Sequence, residues 1–465
     1  MRVRPLTSTF DFIAYRPAEA AERLAFVPLG AIDTPSAART MAKQSREPDS
    51  LVKSPLQPSD PSLGPGTLKW SVQMVPIESP SLAGAASAAS GDAAASAFAE
   101  LAVALGEIEA GYIGPDRGMH TAAERTAGRN LVANALQHGF QCWYEVDPKR
   151  PLFQRWLSTT KKLLGDNPDA VYYGTVADPA GTYRIRGNVH GACYTSFSVE
   201  TGAMEGNLSK GVISTLNDTE FDIAADGSYE IIASPDPQPR NWLRLEPGAG
   251  SITTRHYWEW ERSVAADPTF HVPLWIEPLE DPGPAPPMDD AAVAAGIRRV
   301  INFVRGATID FPEIPPEVMP AWVSSVVNQF DSSDYSEDNT EIGYAAADNA
   351  YLQCRYELDP DQALVMRGRF PRCRFANVVV WNHRLQTPPY RYRRVSINRN
   401  QTHYENDGSF KMVVAHRDAG VPNWIDAAGL RTGMVFWRFL LPEERTPKIE
   451  AEVVDVDSLS QEPGG

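Results

Sequence analysis

Apolar residues are spaced for helices over the first well-patterned part of the chain, from Asp92 to about residue 164. Four side chains fall on a single helical stripe: Phe98, Leu101, Leu105 and Ile108. A second helix is predicted from Thr121, because Thr121 and Glu124 form the Thr-x-x-Glu pattern of a capping box. A third is predicted around 152–164. Three helices are therefore expected before the first strands.

Between about Val171 and Trp260 the apolar residues alternate with polar ones, as strands require. In Tyr183-Arg184-Ile185-Arg186 every second residue is apolar, and four side chains between Cys193 and Val199 share a face. Asp226-Gly227 separates two such runs and is a dipeptide that readily takes positive φ. This pattern predicts antiparallel strands joined by short hairpins.

The strand region occurs twice. Three groups recur 181 positions later, at 359–360, 367–368 and 407–409: Asp178-Pro179, Arg186-Gly187 and Asp226-Gly227-Ser228. With one and then two added residues, Asn241-Trp242 also recurs as Asn423-Trp424 and Arg255 as Arg438. The sequence thus predicts a mainly β protein with accessory α-helices, built from two tandem antiparallel β-sandwich modules that are jelly-roll-like and each preceded by helices.

Composition changes divide the chain further. Residues 1–90 are rich in Pro, Ser and Ala and are expected to form an extended or disordered arm. Helices and the first β-module occupy 91–277, the proline-rich stretch 278–287 is a linker, and a helix with the second β-module occupies 288–449. The acidic residues 450–465 are expected to fray.

Charge and cysteine content limit the possible partners. A formal net charge of −16 disfavours nucleic acid and anionic lipid, and no apolar run approaches the ~20 residues that cross a bilayer. Four cysteines without a C-x-x-C pair give no sign of a zinc or redox site, and we expect them to be reduced. The prediction is a soluble, cytoplasmic bacterial protein that needs no cofactor and binds a small molecule. A homo-oligomer is also compatible with the sequence.

Several spaced motifs carry a family resemblance. They are Asp166-Asn167-Pro168-Asp169 leading into Tyr172, Tyr183 to Gly187, Asp226 to Tyr229, Asn241-Trp242-Leu243, and Arg255-x-Tyr257-x-x-Trp260. Together they resemble bacterial domain-of-unknown-function family 1214, strongly in the first copy and more weakly in the second. The resemblance implies a β-sandwich or jelly-roll-like module in bacteria with broad catabolic or secondary metabolism. It implies no catalytic mechanism.

Residues that differ between the copies are the better functional candidates, because shared residues serve the shared fold. In a strand through 255–261, His256 and Trp258 face one way, while Arg255, Tyr257 and Glu259 face the other. A histidine beside indoles could act as a general base near neutral pH. The alternative is a hydrogen-bonded histidine in the sandwich core.

Other candidates lie at strand ends or in charged clusters. His190 and Tyr194 are expected at a sandwich rim, and Arg186 and Arg367 are either structural ion pairs or anion holders. Three histidines of the second copy lack the close spacing of metal ligands, so no metal site is predicted: His383, His403 and His416. Arginines dense in that copy could attract an anion or simply form a solvated strand face.

Two functions fit these patterns. The first is an enzyme of small-molecule metabolism that acts on an organic, anionic or aromatic substrate in a pocket of the duplicated modules. Its predicted catalytic residues are His256, Glu259 and His190, and its predicted substrate-binding residues are Arg255, Tyr257, Trp258, Arg186, Arg367 and Tyr194. The second is a non-catalytic ligand-binding or assembly protein, since a fold does not determine a function. No nucleophile elbow, phosphate-binding loop or H-E-x-x-H motif is present.

Overall fold

The computed structural model describes residues 92–311, 319–331, 348–445 and 448–459. Three helices form one layer: α1 (Ala93–Gly111), α2 (Ala122–Cys142) and α3 (Asp290–Gly306). The capping box predicted at Thr121 and Glu124 is present at the start of α2. Helix α1 presents Ala97, Ala104 and Ile108 to the interior, whereas Phe98 is exposed. Small residues allow α1 to lie close to α3, so the buried face is not the stripe of largest apolar residues.

Among the described residues, nine strands belong to the first β-module and eight to the second. The first has β1 (Gln154–Arg155), β2 (Ala170–Val176), β3 (Tyr183–Asn188), β4 (Tyr194–Thr201), β5 (Val212–Asn217), β6 (Ser228–Ser234), β7 (Trp242–Arg244), β8 (Ala249–Tyr257) and β9 (Leu274–Pro278). The second has β10 (Asn349–Glu357), β11 (Gln362–Gly368), β12 (Phe375–Trp381), β13 (Ser396–Asn398), β14 (Phe410–Ala415), β15 (Trp424–Asp426), β16 (Thr432–Leu440) and β17 (Glu450–Asp455). A short helix α4 (Val456–Leu459) follows.

The two modules share a sheet topology, except that the inner sheet of the first has an additional edge strand, β1. An inner sheet runs β1-β2-β8-β4-β5 in the first module and β10-β16-β12-β13 in the second. An outer sheet runs β7-β6-β3-β9 and β15-β14-β11-β17, respectively. All pairings are antiparallel except β6 with β7 and β14 with β15. The predicted duplication and the mainly β, tandem-sandwich fold class are therefore confirmed.

Each inner sheet is buried on both faces. One face packs on the outer sheet of its own module. Part of the other face packs on the opposite module, where Tyr194 and Tyr257 contact Phe375 and Leu440, and in the first module the helix layer covers another part. Every residue of β8 and β12 is buried accordingly. The hairpin glycines Gly227 and Gly408 have φ of 84° and 82°. Glycine adopts this left-handed conformation without a steric cost, which explains why both turns contain it.

Two expectations differ from the structure. Residues 152–164 form strand β1 and an irregular segment instead of a helix, because β1 pairs with β2 and Trp156 lies over Gly174, where a Cβ atom would come within 2.0 Å of the indole. Residues 450–455 form β17, because this segment pairs along β11 instead of fraying. The arm predicted for 1–90 lies outside the described residues.

A buried carboxylate joins the two modules. Asp169 accepts hydrogen bonds from Ser263 Oγ at 2.7 Å, Asn377 Nδ2 at 2.9 Å and Asn398 Nδ2 at 3.1 Å. Asp169 and Ser263 belong to the first half of the chain, and both asparagines belong to the second. Two of the three donors come from β12 and β13, so this carboxylate connects both strands to the first module.

His256 lies in the core of the first sandwich. Its ring nitrogens bond to the hydroxyls of Thr195 at 3.3 Å and Thr254 at 3.1 Å, and its ring packs near Phe197 and Trp258. Burial lowers the pKa of His256 to about 3. The imidazole is therefore neutral in the folded protein at neutral pH.

Replacing Asp169 with alanine is expected to lower the free energy of unfolding by about 3 kcal/mol or more, because three buried donors lose their acceptor. Urea denaturation measures the loss. The matched control is Asp226→Ala, which removes a carboxylate from an exposed hairpin turn and should cost about 1 kcal/mol or less. Equal losses in the two variants would contradict the joining role of Asp169.

The buried histidine makes stability depend on pH. An unfolded histidine has a pKa of about 6.5, so between that value and the folded value only the unfolded state binds the proton. Stability from His256 is complete above the unfolded pKa and is lost as pH falls, by about 2 kcal/mol between pH 7 and pH 5.

The His256→Gln variant should lose about 2 kcal/mol less than the wild type over that interval, as measured by urea denaturation at each pH. His403→Gln, at an exposed position, is the control and should leave the pH dependence unchanged. An unaltered slope in His256→Gln would show that His256 is not the titrating group.

Candidate functional site

A cavity of about 80 Å³ lies where the helix layer meets both inner sheets. Two repeat-equivalent arginines line it, Arg255 from β8 and Arg438 from β16. The other lining residues with a hydroxyl or imidazole group are Tyr172, Tyr173, Tyr257, Tyr351, Thr253, Thr254 and His138. The cavity therefore combines cationic groups, phenol hydroxyls and one imidazole at the contact between the copies.

Arg255 is surrounded by polar partners from its own sheet. Its Nη1 donates to Ser198 Oγ at 2.8 Å, and its Nη2 lies 3.5 Å from Oε1 of Glu200, which is fully buried. Glu200 also accepts hydrogen bonds from Ser209 at 2.8 Å and Thr253 at 3.0 Å. The charge of Arg255 is thus balanced within the first module.

Arg438 has a different environment. Its Nη2 donates to the Gly165 carbonyl at 2.9 Å, and its guanidinium carbon lies 5.1 Å from the centre of the Trp381 ring and 4.8 Å from that of Phe436. The residue is 6% exposed, and its Nη1 is buried without a hydrogen-bond partner among the described residues. Within the described ranges, no carboxylate forms an ion pair with it.

Strand register shows which residues occupy equivalent positions around the two arginines. Arg255 pairs with Tyr172 and Ser196, and Arg438 pairs with Tyr351 and Asn377 at the same positions of the inner sheets. The same register relates each polar partner of Arg255 to an apolar residue near Arg438: Ser198 to Val379, Glu200 to Trp381 and Thr253 to Phe436. The second copy has a buried arginine at the equivalent position, but apolar side chains where the first copy has the groups that balance its charge.

The tyrosines supply hydroxyl donors beside these arginines. The Tyr172 and Tyr257 hydroxyls are 3.3 Å apart, and Asn349 Nδ2 donates to the Tyr351 hydroxyl at 3.1 Å. Burial raises the pKa of Tyr172 well above its usual value, so this phenol remains protonated. A protonated phenol can donate to an anion held near the guanidinium groups.

His138 of α2 completes the polar lining. Its Nδ1 lies 3.1 Å from the Trp156 carbonyl, so Nδ1 carries the proton, and Nε2 is buried without a hydrogen-bond partner in the described part of the chain. Its ring stacks on Phe303 with centroids 4.4 Å apart. Burial, together with the nearby charge of Lys161, lowers the pKa of His138 to about 3. The imidazole is a neutral acceptor.

The three predicted catalytic residues do not converge on this cavity or on each other. His256 is in the sandwich core on the opposite face of β8 from Arg255. Glu259 forms a two-point ion pair with Arg399, at 2.6 and 2.9 Å, and accepts from the Ala376 amide, so it links the modules. His190 lies in a turn with φ of 50°.

The predicted substrate-binding residues lie in three different places. Arg255 and Tyr257 line the cavity, and Tyr194 packs edge-on against Tyr257 and donates to Asp348. Trp258 is buried, and its Nε1 donates to the His190 carbonyl at 3.2 Å. Arg186 and Arg367 lie on the outer sheets, about half exposed, and pair with Glu230 and Glu452.

Other chemical possibilities find no support among the described residues. No group of three or more His, Cys, Asp or Glu side chains there is close enough to hold a metal ion, and His383, His403 and His416 are apart. In the same ranges, no helix has the length and apolar character needed to cross a bilayer.

Sequence reasoning singled out Arg438 only as the partner of Arg255 and did not single out His138 or Tyr351. The repeat itself held the missing signal, because the 181-residue offset that relates Ser198 to Val379 and Glu200 to Trp381 is visible in the sequence. Using that signal requires knowledge that these side chains surround the arginine, which depends on strand register.

Comparison with known proteins supports the fold. An uncharacterized protein of Burkholderia cenocepacia superposes with a TM-score of 0.67 and 24% identity over 78% of this chain and 97% of its own. The VPA0106 protein of Vibrio parahaemolyticus gives a TM-score of 0.39 and 11% identity over 70% of this chain and 99% of its own, which is too low to support an argument. No protein of curated function matches at a significant level.

One protein family matches the sequence. Residues 346–444 match the family described as a protein of unknown function, DUF1214. The matched segment covers β10 to β16 and therefore the second module, although the motifs quoted from the sequence are more numerous in the first. The second of the two β-modules thus carries the match to the DUF1214 family.

Proposed function

We propose that this protein binds a small monoanion of the carboxylate type in the cavity beside Arg438, as part of bacterial small-molecule metabolism. The observation that carries the proposal is the buried Nη1 of Arg438, which has no hydrogen-bond partner among the described residues. A buried charged donor that is left without an acceptor costs free energy in the folded protein. A bound anion would offset that cost.

The first copy supports this interpretation because it serves as an internal reference. There the equivalent arginine has Glu200 and Ser198 as partners, so the fold accepts a balanced arginine at this position. The second copy has Trp381 and Val379 instead. Ring faces stabilise a cation by cation–π attraction, but they leave the N–H groups without acceptors. A carboxylate oxygen from a ligand would provide the acceptor that Glu200 provides in the first copy.

Size and charge restrict the ligand. The cavity of about 80 Å³ is about half of the ~150 Å³ of an engineered cavity that binds benzene. Formate or acetate fits this volume, and an aromatic acid does not. Glu200 already pairs with Arg255, and Arg438 has no carboxylate at ion-pair distance among the described residues, which favours a monoanion over a dianion.

Acetate at constant ionic strength, balanced with gluconate, is expected to raise the free energy of unfolding of the wild-type protein. The rise should reach about 2.7 kcal/mol when acetate is at 100 times its Kd. Arg438→Met should abolish this stabilisation, because methionine packs on Trp381 and Phe436 but offers no charge. Thermal and urea unfolding measure both values.

Arg367→Met is the matched control, since it removes one positive charge from an exposed position on an outer strand. Its response to acetate should equal that of the wild type. Without added anion, Arg438→Met should be at least as stable as the wild type, because a lone buried charge has been removed. Full acetate stabilisation in Arg438→Met would contradict the proposal.

Catalysis on the bound anion is a second candidate function, and the observation that favours it is the position of His138. Its unpartnered Nε2 belongs to the same cavity lining as Arg438. In the empty cavity its pKa of about 3 makes it a weak base. A nearby negative charge favours the imidazolium form, so a bound anion would bring the residue closer to general-base range.

Histidine proton resonances followed by NMR over a pH titration test this second candidate. Saturating acetate should raise the pKa of His138 above about 3 in the wild type and should leave it unchanged in Arg438→Met. If acetate binds and the pKa of His138 does not move, catalysis by this residue is excluded and the binding function stands.

A further inference from the structure

We propose that Leu164 sets the length of the carboxylate that the Arg438 site accepts, because its side chain separates this site from a second, larger cavity. The inference rests on the proposed anion site and adds a specificity-determining residue to it. Leu164 lines both the cavity of about 80 Å³ and another of about 440 Å³. No other described residue lines both cavities.

The larger cavity has the size and lining for an organic group. A volume of about 440 Å³ lies within the roughly 300–1,000 Å³ of small-molecule sites. Its apolar wall includes Leu131 of α2, Ala307 and Phe311 after α3, and Leu385. Arg384, at its polar side, lies over the Tyr112 ring with the guanidinium carbon 5.4 Å from the ring centre. An alkyl chain extending from the Arg438 site would enter this apolar region.

Backbone hydrogen bonds hold the dividing wall in place. The Gly165 carbonyl accepts from Arg438 Nη2 at 2.9 Å, and the Gly165 amide donates to the Leu385 carbonyl at 2.9 Å. The chain at Leu164 is therefore attached to the arginine on one side and to the wall of the larger cavity on the other. With the backbone fixed in this way, the Leu164 side chain is what a longer ligand would meet.

The backbone at Leu164 is itself unusual. Its φ of 54° lies in the left-handed region, which a leucine rarely adopts, and Gly165 follows with φ of 80°. Such conformations occur where the surrounding structure over-determines them, often at ligand sites. Glycine adopts this conformation without strain, so replacing Leu164 with glycine removes the wall while the backbone keeps its path.

Leu385 offers a matched control. It is also a leucine with φ of 54°, and it lines the larger cavity but not the smaller one. Leu385→Gly therefore removes the same side chain from the same backbone conformation without opening a path between the cavities. General loosening of the structure would affect both variants, and a change in ligand length would follow only from Leu164→Gly.

The experiment compares acetate and hexanoate binding by titration calorimetry, with wild type, Leu164→Gly and Leu385→Gly. We expect the wild type to bind acetate and to bind hexanoate at least about tenfold more weakly. Leu164→Gly should improve the hexanoate Kd by about tenfold or more, because buried methylenes add favourable contacts, and should change the acetate Kd by less than about threefold. Leu385→Gly should bind both as the wild type does.

The outcomes separate this inference from the binding function. If the wild type binds neither acid, the proposed function itself fails. If acetate binds to wild type and Leu164→Gly but hexanoate gains nothing, the role of Leu164 is overturned and the anion site remains. Equal gains for hexanoate in both glycine variants would also overturn it. Leu164→Ala, tested in parallel, should give a smaller gain of the same sign and replaces the glycine variant if acetate binding shows that the latter is misfolded.

Discussion

The carboxylate of Asp169 accepts hydrogen bonds from Ser263, Asn377 and Asn398, and the placement of the second module on the first depends on this buried contact. Neighbouring groups extend it. The Asp166 carbonyl accepts from Trp381 Nε1 at 2.8 Å, and Lys162 Nζ donates to the Pro388 carbonyl at 2.6 Å. The short segment 162–169 thus contacts several parts of the second half of the chain, and it also carries Leu164 and Gly165 to the cavity wall. The same short segment therefore both connects the two modules and forms part of the cavity wall.

Face-to-face packing of the two inner sheets has an energetic consequence. A residue on an inner face that would be half exposed in a single sandwich is fully removed from water here, so each polar group needs a partner. In the first module the guanidinium of Arg255 has Glu200, Ser198 and Thr253 as polar partners. In the second module Arg438 receives one carbonyl and two aromatic rings. The two modules share a topology, but the partners of the two buried arginines differ. A small anion beside Arg438 would supply the negative charge that Glu200 supplies to Arg255.

Residues at the module contact therefore divide by role. The carboxylates of Glu259 and Asp169 accept hydrogen bonds from the second half of the chain, and such groups contribute to docking. Arg438 and His138 each keep a buried nitrogen without a partner among the described residues, and both line one cavity. Buried unsatisfied groups are rare in native proteins and point to a ligand, an ion or water. Other buried polar atoms near the module contact also lack a partner among the described residues, Asn377 Oδ1 included, but in this cavity one of the two unpartnered groups is a cation.

Much of the fold could be predicted because it depends on local patterns. The capping box at Thr121, the Asp-Gly hairpins and the period-two strands each report local backbone geometry, and the repeat reports that one topology occurs twice. The helix expected at 152–164 does not form, because pairing of β1 with β2 and the fit of Trp156 on Gly174 are contacts that no local pattern encodes. Similarly, alternation along β8 predicts that His256 and Arg255 face opposite sides, but not which side is the sandwich core.

The amino-acid sequence by itself thus determined the duplicated, mainly β architecture, the chain positions of the doubled arginines and the residues that differ between the copies. Tertiary structure alone decided that Arg255 and Arg438 meet at one cavity, that Glu200 and Trp381 occupy equivalent places beside them, and that Leu164 divides that cavity from a larger one. The physical reason is that secondary structure follows from short-range spacing along the chain. Charge balance and cavity shape instead depend on side chains brought together from distant segments, and only the packed structure shows which ones these are.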